Sequence, residues 1–263
     1  MAWGRTLFSP ARRVMLVGLL VDLGVACMAL GVQFLAIELQ APPLVLGLLG
    51  MVSATAYTIG CVFSGSVSDR YGRKVPAMLA CLVAGTVWLA MAFARSPYHL
   101  LLLMPFSGGA LCFLWPSMQA WLAEFSGHSP RALNRNLSLF NIAWTAGIMT
   151  GPLVAGYTWQ YSHHLAFILP ALMGYLGAWV VYMTPTVEGP AREVAVNGDR
   201  HSPELTQLFL LLAWFGNFGS WYARAVVSSL YPKLGTELHF SHELVGFLIF
   251  IVGFAQLVMF GLT

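Results

Sequence analysis

The stretch Gly65-Ser66-Val67-Ser68-Asp69-Arg70-Tyr71-Gly72-Arg73-Lys74 decides how this chain is read. It reads as a short, highly charged turn between two long apolar runs, one ending near Ser64 and the next reaching from Val75 to Ala94. Asp69, Arg70, Arg73 and Lys74 are charged, whereas only 9% of the 263 residues are. Gly65 and Gly72 allow a tight turn or a close approach where a Cβ would interfere. Basic residues beside apolar runs gather on the cytoplasmic face of a membrane. Composition alone is satisfied by any polar loop that obeys that charge rule, so the order of the residues must carry the rest.

The whole chain supports a membrane reading. It is 58% hydrophobic and 13% aromatic, with a mean hydropathy of +0.74. A soluble domain could not hide that much apolar surface. The apolar runs are about 20 residues long and do not alternate, which selects helices over a β-barrel. The expected class is therefore an all-α polytopic membrane protein. The net charge of +3 gives no reason to expect nucleic acid. Cys27, Cys61, Cys81 and Cys112 all lie in apolar runs without metal-ligand spacing and read as small hydrophobes. All seven histidines fall in or beside loops, which argues against a histidine proton relay within the membrane.

Residues 1–13 are polar and basic and could imitate a signal peptide, with Gly24-Val25-Ala26-Cys27 as a weak lipoprotein-like site. Asp22 interrupts that hydrophobic region and the apolar character continues past Cys27, so an uncleaved first span over 14–38 is expected. Further spans are expected over 44–66, 75–94, 98–123, 136–158, 165–183, 206–231 and 243–262. Pro105 and Pro116 predict kinks in the fourth. Residues 185–205 are the longest hydrophilic stretch and read as a cytoplasmic linker between a six-span unit, 1–184, and a two-span unit, 206–263. Placing the N-terminus inside leaves ten of the 13 basic residues in the cytoplasm, with Arg95 and Lys233 outside and Arg224 within the seventh span.

The order Gly-x-x-x-Asp-Arg-x-Gly-Arg-Lys between a second and a third span resembles the loop 2–3 signature of the major facilitator superfamily of secondary transporters, with Val67 as its hydrophobic residue and Ser68 as its small one. The resemblance implies the superfamily fold, a six-helix N-terminal half followed by the first two helices of a C-terminal half. Sliding the chain by 199 positions lays Glu237 on Glu38 and Gly246 on Gly47, and puts Thr263 on Ser64, just before the signature. A chain stopping after its eighth span is the expectation. In the family the signature Asp caps helix 11 and helps lock the outward-open state. The resemblance gives Asp69 that role, with Arg70 and Arg73 as charge partners. In this chain Asp69 is then expected to be solvated or paired locally.

In the fifth span, Gly147 and Gly151 form a small-xxx-small face and Pro152 breaks the hydrogen-bond ladder. With Gly156 they resemble the family's helix-5 motif, associated with antiporters, departing at Ala155 and Ser138 where Gly is common. The resemblance places Gly147 and Gly151 against the eighth span, with Gly246 and Gly253 receiving them. In the fourth span Met104 or Pro105 stands where many proton-coupled members carry Arg, so a coupling that needs that Arg is in doubt.

Two charges lie within spans. Asp22 is about 13 Å deep at the helical rise, and the offset places Arg224 opposite Val25 at a similar depth. Ionisable groups there mark a pathway or a buried pair. Asp22 and Arg224 either pair across the two units or act separately, Asp22 on a coupling proton or cation and Arg224 on an anionic group. Gln33, Gln119, Asn141, Trp144, Asn217 and Trp221 complete the expected cavity lining. Trp159, Tyr161 and Tyr231 read as interfacial anchors. No nucleotide-binding loop, metal cluster or nucleophile constellation is visible, so no metal site, cofactor or enzymatic activity is expected. The expected function is secondary active transport of a small-molecule substrate by alternating access, through efflux or antiport, by a monomer in the lipid bilayer of the cell membrane. The alternative is a non-transporting sensor or assembly factor on the same scaffold.

Overall fold

The computed structural model describes residues 9–127, 129–186 and 203–262. They form nine helices: α1 Pro10–Glu38, α2 Pro43–Tyr71, α3 Lys74–Met91, α4 Pro97–Leu111, α5 Leu114–Ser126, α6 Pro130–Trp159, α7 Leu165–Met183, α8 Pro203–Glu237 and α9 His242–Leu262. Six stretches are long and apolar enough to cross a membrane, α4 and α5 counting together as one, Pro97–Ser126. In α8 and α9 the apolar stretches Gln207–Gly216 and His242–Ala255 are shorter. Most of the expected linker, 187–202, lies outside the described residues.

Helix starts follow local chemistry. Proline opens α1, α2, α4 and α6, where its fixed φ fits the first turn and its missing N–H is not needed. The Ser96 and Ser129 side chains cap α4 and α6 by accepting from the backbone N–H groups of Tyr98 and Ala132. The expected kink in the fourth span is a full break at Cys112 and Phe113. Pro116 lies four residues beyond Cys112, so it cannot donate to that carbonyl and its ring crowds it. Pro105, by contrast, stays inside α4.

The charged stretch is not the turn that its composition suggests. α2 stays helical through Tyr71, and only Gly72 and Arg73 leave the helix. Gly72 has φ +77° and ψ 167°, a region that glycine alone adopts readily. Gly65 is helical, and a Cβ there would meet nothing within 4 Å. It serves neither a turn nor a close approach. Polar loops elsewhere are shorter than expected for the same reason: a helix keeps its own hydrogen bonds as it leaves the apolar layer, so α5 and α6 run on to Ser126 and from Pro130.

The packing follows an internal exchange. α1 packs on α6, α4 packs on α2, and α3 pairs with α7. These are the pairings expected when spans one to three swap with spans four to six, as in inverted repeats. Glycines set each approach. Gly147 and Gly151 face the backbone of α1, Gly108 faces Ser53 on α2, and Gly174 faces Gly85, its added Cβ only 2.9 Å from the Gly85 Cα. α9 then joins the bundle along α6.

Candidate functional site

At the basic end of the bundle, Arg73 is the hub of the signature. Its guanidinium donates to Asp69 Oδ1 at 2.5 Å, to Ser68 Oγ at 3.0 Å and, through Nε, to Glu124 Oε1 at 3.1 Å. The Arg73 side chain is 14% exposed and that of Asp69 66%. Burial opposes the Arg73 charge, but the bonds to Asp69 and Glu124 outweigh it and raise its pKa. Asp69 is thus both paired locally and largely solvated. Arg70 lies 5.6 Å over the Tyr71 ring; among the described residues both ion pairs belong to Arg73.

The network reaches further than the motif. Ser117 Oγ donates to the Phe113 carbonyl at 2.7 Å and is hydrogen-bonded to Ser68 Oγ at 3.1 Å. With Arg73 donating to Ser68, the Ser68 hydroxyl proton is left for Ser117. One chain of bonds therefore runs from Arg73 to Phe113, at the break between α4 and α5. Sequence reading missed Glu124, Ser117 and the role of Ser68, because their partners are about 50 residues away along the chain. The charge of Glu124 at the end of a span was the one available signal.

The helix-5 motif divides its work between two partners, contrary to the expectation that Gly147 and Gly151 meet the eighth span. An added Cβ on Gly147 would lie 2.5 Å from the Leu19 carbonyl and 3.1 Å from the Asp22 Cβ, and one on Gly151 2.6 Å from the Ala26 Cβ. Both belong to the seam with α1. Two neighbours, Pro152 and Gly156, meet α9 instead: the Gly156 Cα is 3.2 Å from the Cβ that Gly246 would carry. Gly253 approaches Met149. The receiving glycines on α9 are as expected, but the donors lie further along α6, because a helix with small residues on two sides can be approached from both.

Asp22 is 5% exposed and sits in this α1–α6 seam. Gln33, 6% exposed, lies eleven residues further along α1, about 16 Å away at the helical rise. Its Oε1 is buried with no hydrogen-bond partner among the described residues, as is Thr145 Oγ1 on α6. Buried polar atoms in that state are uncommon. Asn141 and Trp144 share a face of α6, the indole Nε1 donating to Asn141 Oδ1 at 3.0 Å. Gln119 is exposed on α5. The side chains of Asn217, Trp221 and Arg224 lie outside the described residues.

At the far end of the same seam the structure corrects one reading. Trp159 is not an interfacial anchor but is 6% exposed. Its Nε1 donates to Glu38 Oε1 at 3.1 Å, and its ring packs against Phe34 and His242. α1, α6 and α9 meet there. Tyr161, 66% exposed, keeps the surface position expected of it.

Comparisons with known proteins accord with this geometry. The chain is 26% identical over 160 residues to the multidrug resistance protein MdtH of Yersinia enterocolitica, an alignment covering 59% of this chain and 39% of the relative. It is 33% identical over 108 residues to the gallate transporter of Pseudomonas putida, covering 40% and 23%. It spans well under half the length of these relatives. A bacterial homologue of the human lysosomal transporter Spinster, solved inward-facing and unoccupied, superposes with a TM-score of 0.70 at 15% identity over 93% of this chain and 59% of that one. The D-xylose–proton symporter follows at 0.64 and 16%, over 96% and 67%. The family model of the Major Facilitator Superfamily matches residues 14–263, so this chain, an integral membrane protein with the fold of those transporters, belongs to that superfamily.

Proposed function

We propose that this chain serves secondary active export of a small organic solute by alternating access, with Asp22 taking up and releasing the coupling proton or cation. The observation that carries the reading is the carboxylate of Asp22, 5% exposed midway along an apolar span. Holding a charge there is costly, and its usual return is a transport pathway. Gln33 supports the reading, since its buried acceptor oxygen suits a substrate donor. The basic end, with Asp69, Arg70, Arg73 and Lys74, is the cytoplasmic one in this proposal, and the working unit is a monomer. Arg224 binds an anionic group of the substrate. Export accords with the multidrug resistance name of the Yersinia relative. The second reading, a sensor or assembly factor that moves no solute, is favoured by Met104 and Pro105 standing where many proton-coupled members carry Arg.

Accumulation of a fluorescent organic carboxylate in cells, with membrane abundance and thermal unfolding measured alongside, separates these readings for Asp22→Asn, Arg224→Gln and the double variant. The expected result is lost export in each single variant, with unfolding little changed. If the two groups were instead a buried pair, each single variant would lose about 3–5 kcal/mol of stability and the double would recover it. Export equal to wild type in all three sinks both roles.

A further inference from the structure

An apolar groove of about 590 Å³ opens between α2, α3 and α4. Small residues keep it empty. Ala80 and Pro76 lie on its α3 wall and Gly109 on its α4 wall, where an added Cβ would meet nothing within 4 Å. Phe113, at the break in the fourth span, and Val83, on α3, also line it. From Val75 to Val83 the α3 wall is about 12 Å long at the helical rise. Half the hydrocarbon thickness of a bilayer is about 15 Å. A partner helix would need a groove running the full thickness, whereas a single leaflet's acyl chain matches this length.

The mouth carries the second half of the argument. Tyr71 lines it, and the Arg70 guanidinium lies 5.6 Å over that ring. Lys74, beside the lining residue Val75, holds its Nζ 5.3 Å over the ring of Tyr182 on α7. Two cations thus stand at the basic end, Arg70 over a ring that lines the groove and Lys74 next in sequence to another lining residue. We propose that the groove is a binding site for an anionic phospholipid of the leaflet at the basic end, one acyl chain filling the groove and the phosphate held by Arg70 and Lys74. Cations at a membrane surface draw anionic headgroups, and the apolar walls hold the chain. The hydrogen-bond chain from Arg73 ends on the carbonyl of Phe113, so the bound lipid would touch the residue on which the signature network terminates.

The full chain, purified in detergent, is titrated with phosphatidylglycerol or with phosphatidylcholine of the same acyl chains, and retained lipid is counted by native mass spectrometry. Wild type is expected to retain one phosphatidylglycerol in preference to phosphatidylcholine. Gly109→Leu and Val83→Phe fill the groove from opposite walls. Neither crowds the core, since Gly109 faces open space and Val83 is 44% exposed. Both should lose retention of both lipids while keeping their helical circular dichroism. Arg70→Gln with Lys74→Gln should keep phosphatidylcholine and lose the preference, by about fivefold per cation. Soluble glycerol phosphate should not compete, because the chain is needed. The proposal is overturned by wild-type retention in a filled variant, by equal retention of the two lipids in wild type, or by a dimer that only the filling variants dissolve.

Discussion

The α1–α6 seam and the α2–α4 seam are built by the same device and enclose different things. In each, glycines let one backbone reach another: Gly147 and Gly151 on the first, Gly108 and Gly60 on the second, facing Ser53 and Cys112. The first seam is covered further by α7 and α9 and holds the carboxylate of Asp22. The second is open on its α2 side, where Val62 is 75% and Phe63 59% exposed, and none of the buried residues of α2 and α4 is charged. Small residues therefore decide how close two helices come, while the helices around them decide whether a charge can live there.

The largest expected effect tests that division. Gly151→Leu would drive a side chain into Ala26, Cys27 N and the Leu23 carbonyl, and Gly108→Leu into the backbone of Ser53. Backbone cannot yield as a side-chain tip can, so each should cost more than about 3 kcal/mol in thermal unfolding, beyond ordinary overpacking. A tolerated Gly108→Leu would mean that the open seam is slack and that only the charged one demands close contact.

Next comes the clamp at the basic end of the open seam. Arg73→Gln removes the bonds that tie α2 to Glu124 on α5 and should lower stability by about 1.5–3 kcal/mol. Asp69→Asn, at a 66% exposed side chain, should cost less than about 1 kcal/mol. Hydrogen exchange should quicken in α2 and α5 with Arg73→Gln and leave α1 and α6 unchanged. Equal quickening in both seams would show that they are one cooperative unit.

A last pair of variants separates two glycines that look alike in the signature. Gly72→Ala should cost about 1–3 kcal/mol, because its backbone conformation is strained for any other residue. Gly65→Ala should be neutral or stabilising by about 0.5–1 kcal/mol, since that position is helical and faces open space. Thermal unfolding of the two variants side by side checks the sign. A loss at Gly65 would point to a partner for α2 that the described residues lack.

The superfamily was legible because its signature depends on residue order over ten consecutive positions, which a chain carries on its face. Span positions were legible because burial in hydrocarbon demands long apolar runs wherever the helix sits. The seventh helix, 165–183, was read to its end residues, for it is flanked by polar turns on both sides. Helices that leave the apolar layer still helical, such as α2 beyond Ser64, were read short. Composition reports where the solvent changes, not where the hydrogen-bond ladder stops.

By itself the sequence determined the class, the rough placement of the first six spans, the charged signature and the burial of Asp22 in an apolar run. Tertiary structure alone decided which glycine faces which helix, that Arg73 and not Arg70 holds Asp69, and that Glu124 and Ser117 join them. It also turned Trp159 from a surface anchor into a buried contact of Glu38 and His242. The reason is geometric. Periodicity tells which residues share a face of one helix, but the rotation of that face about its axis is set by the neighbours it packs against, and those are distant in sequence.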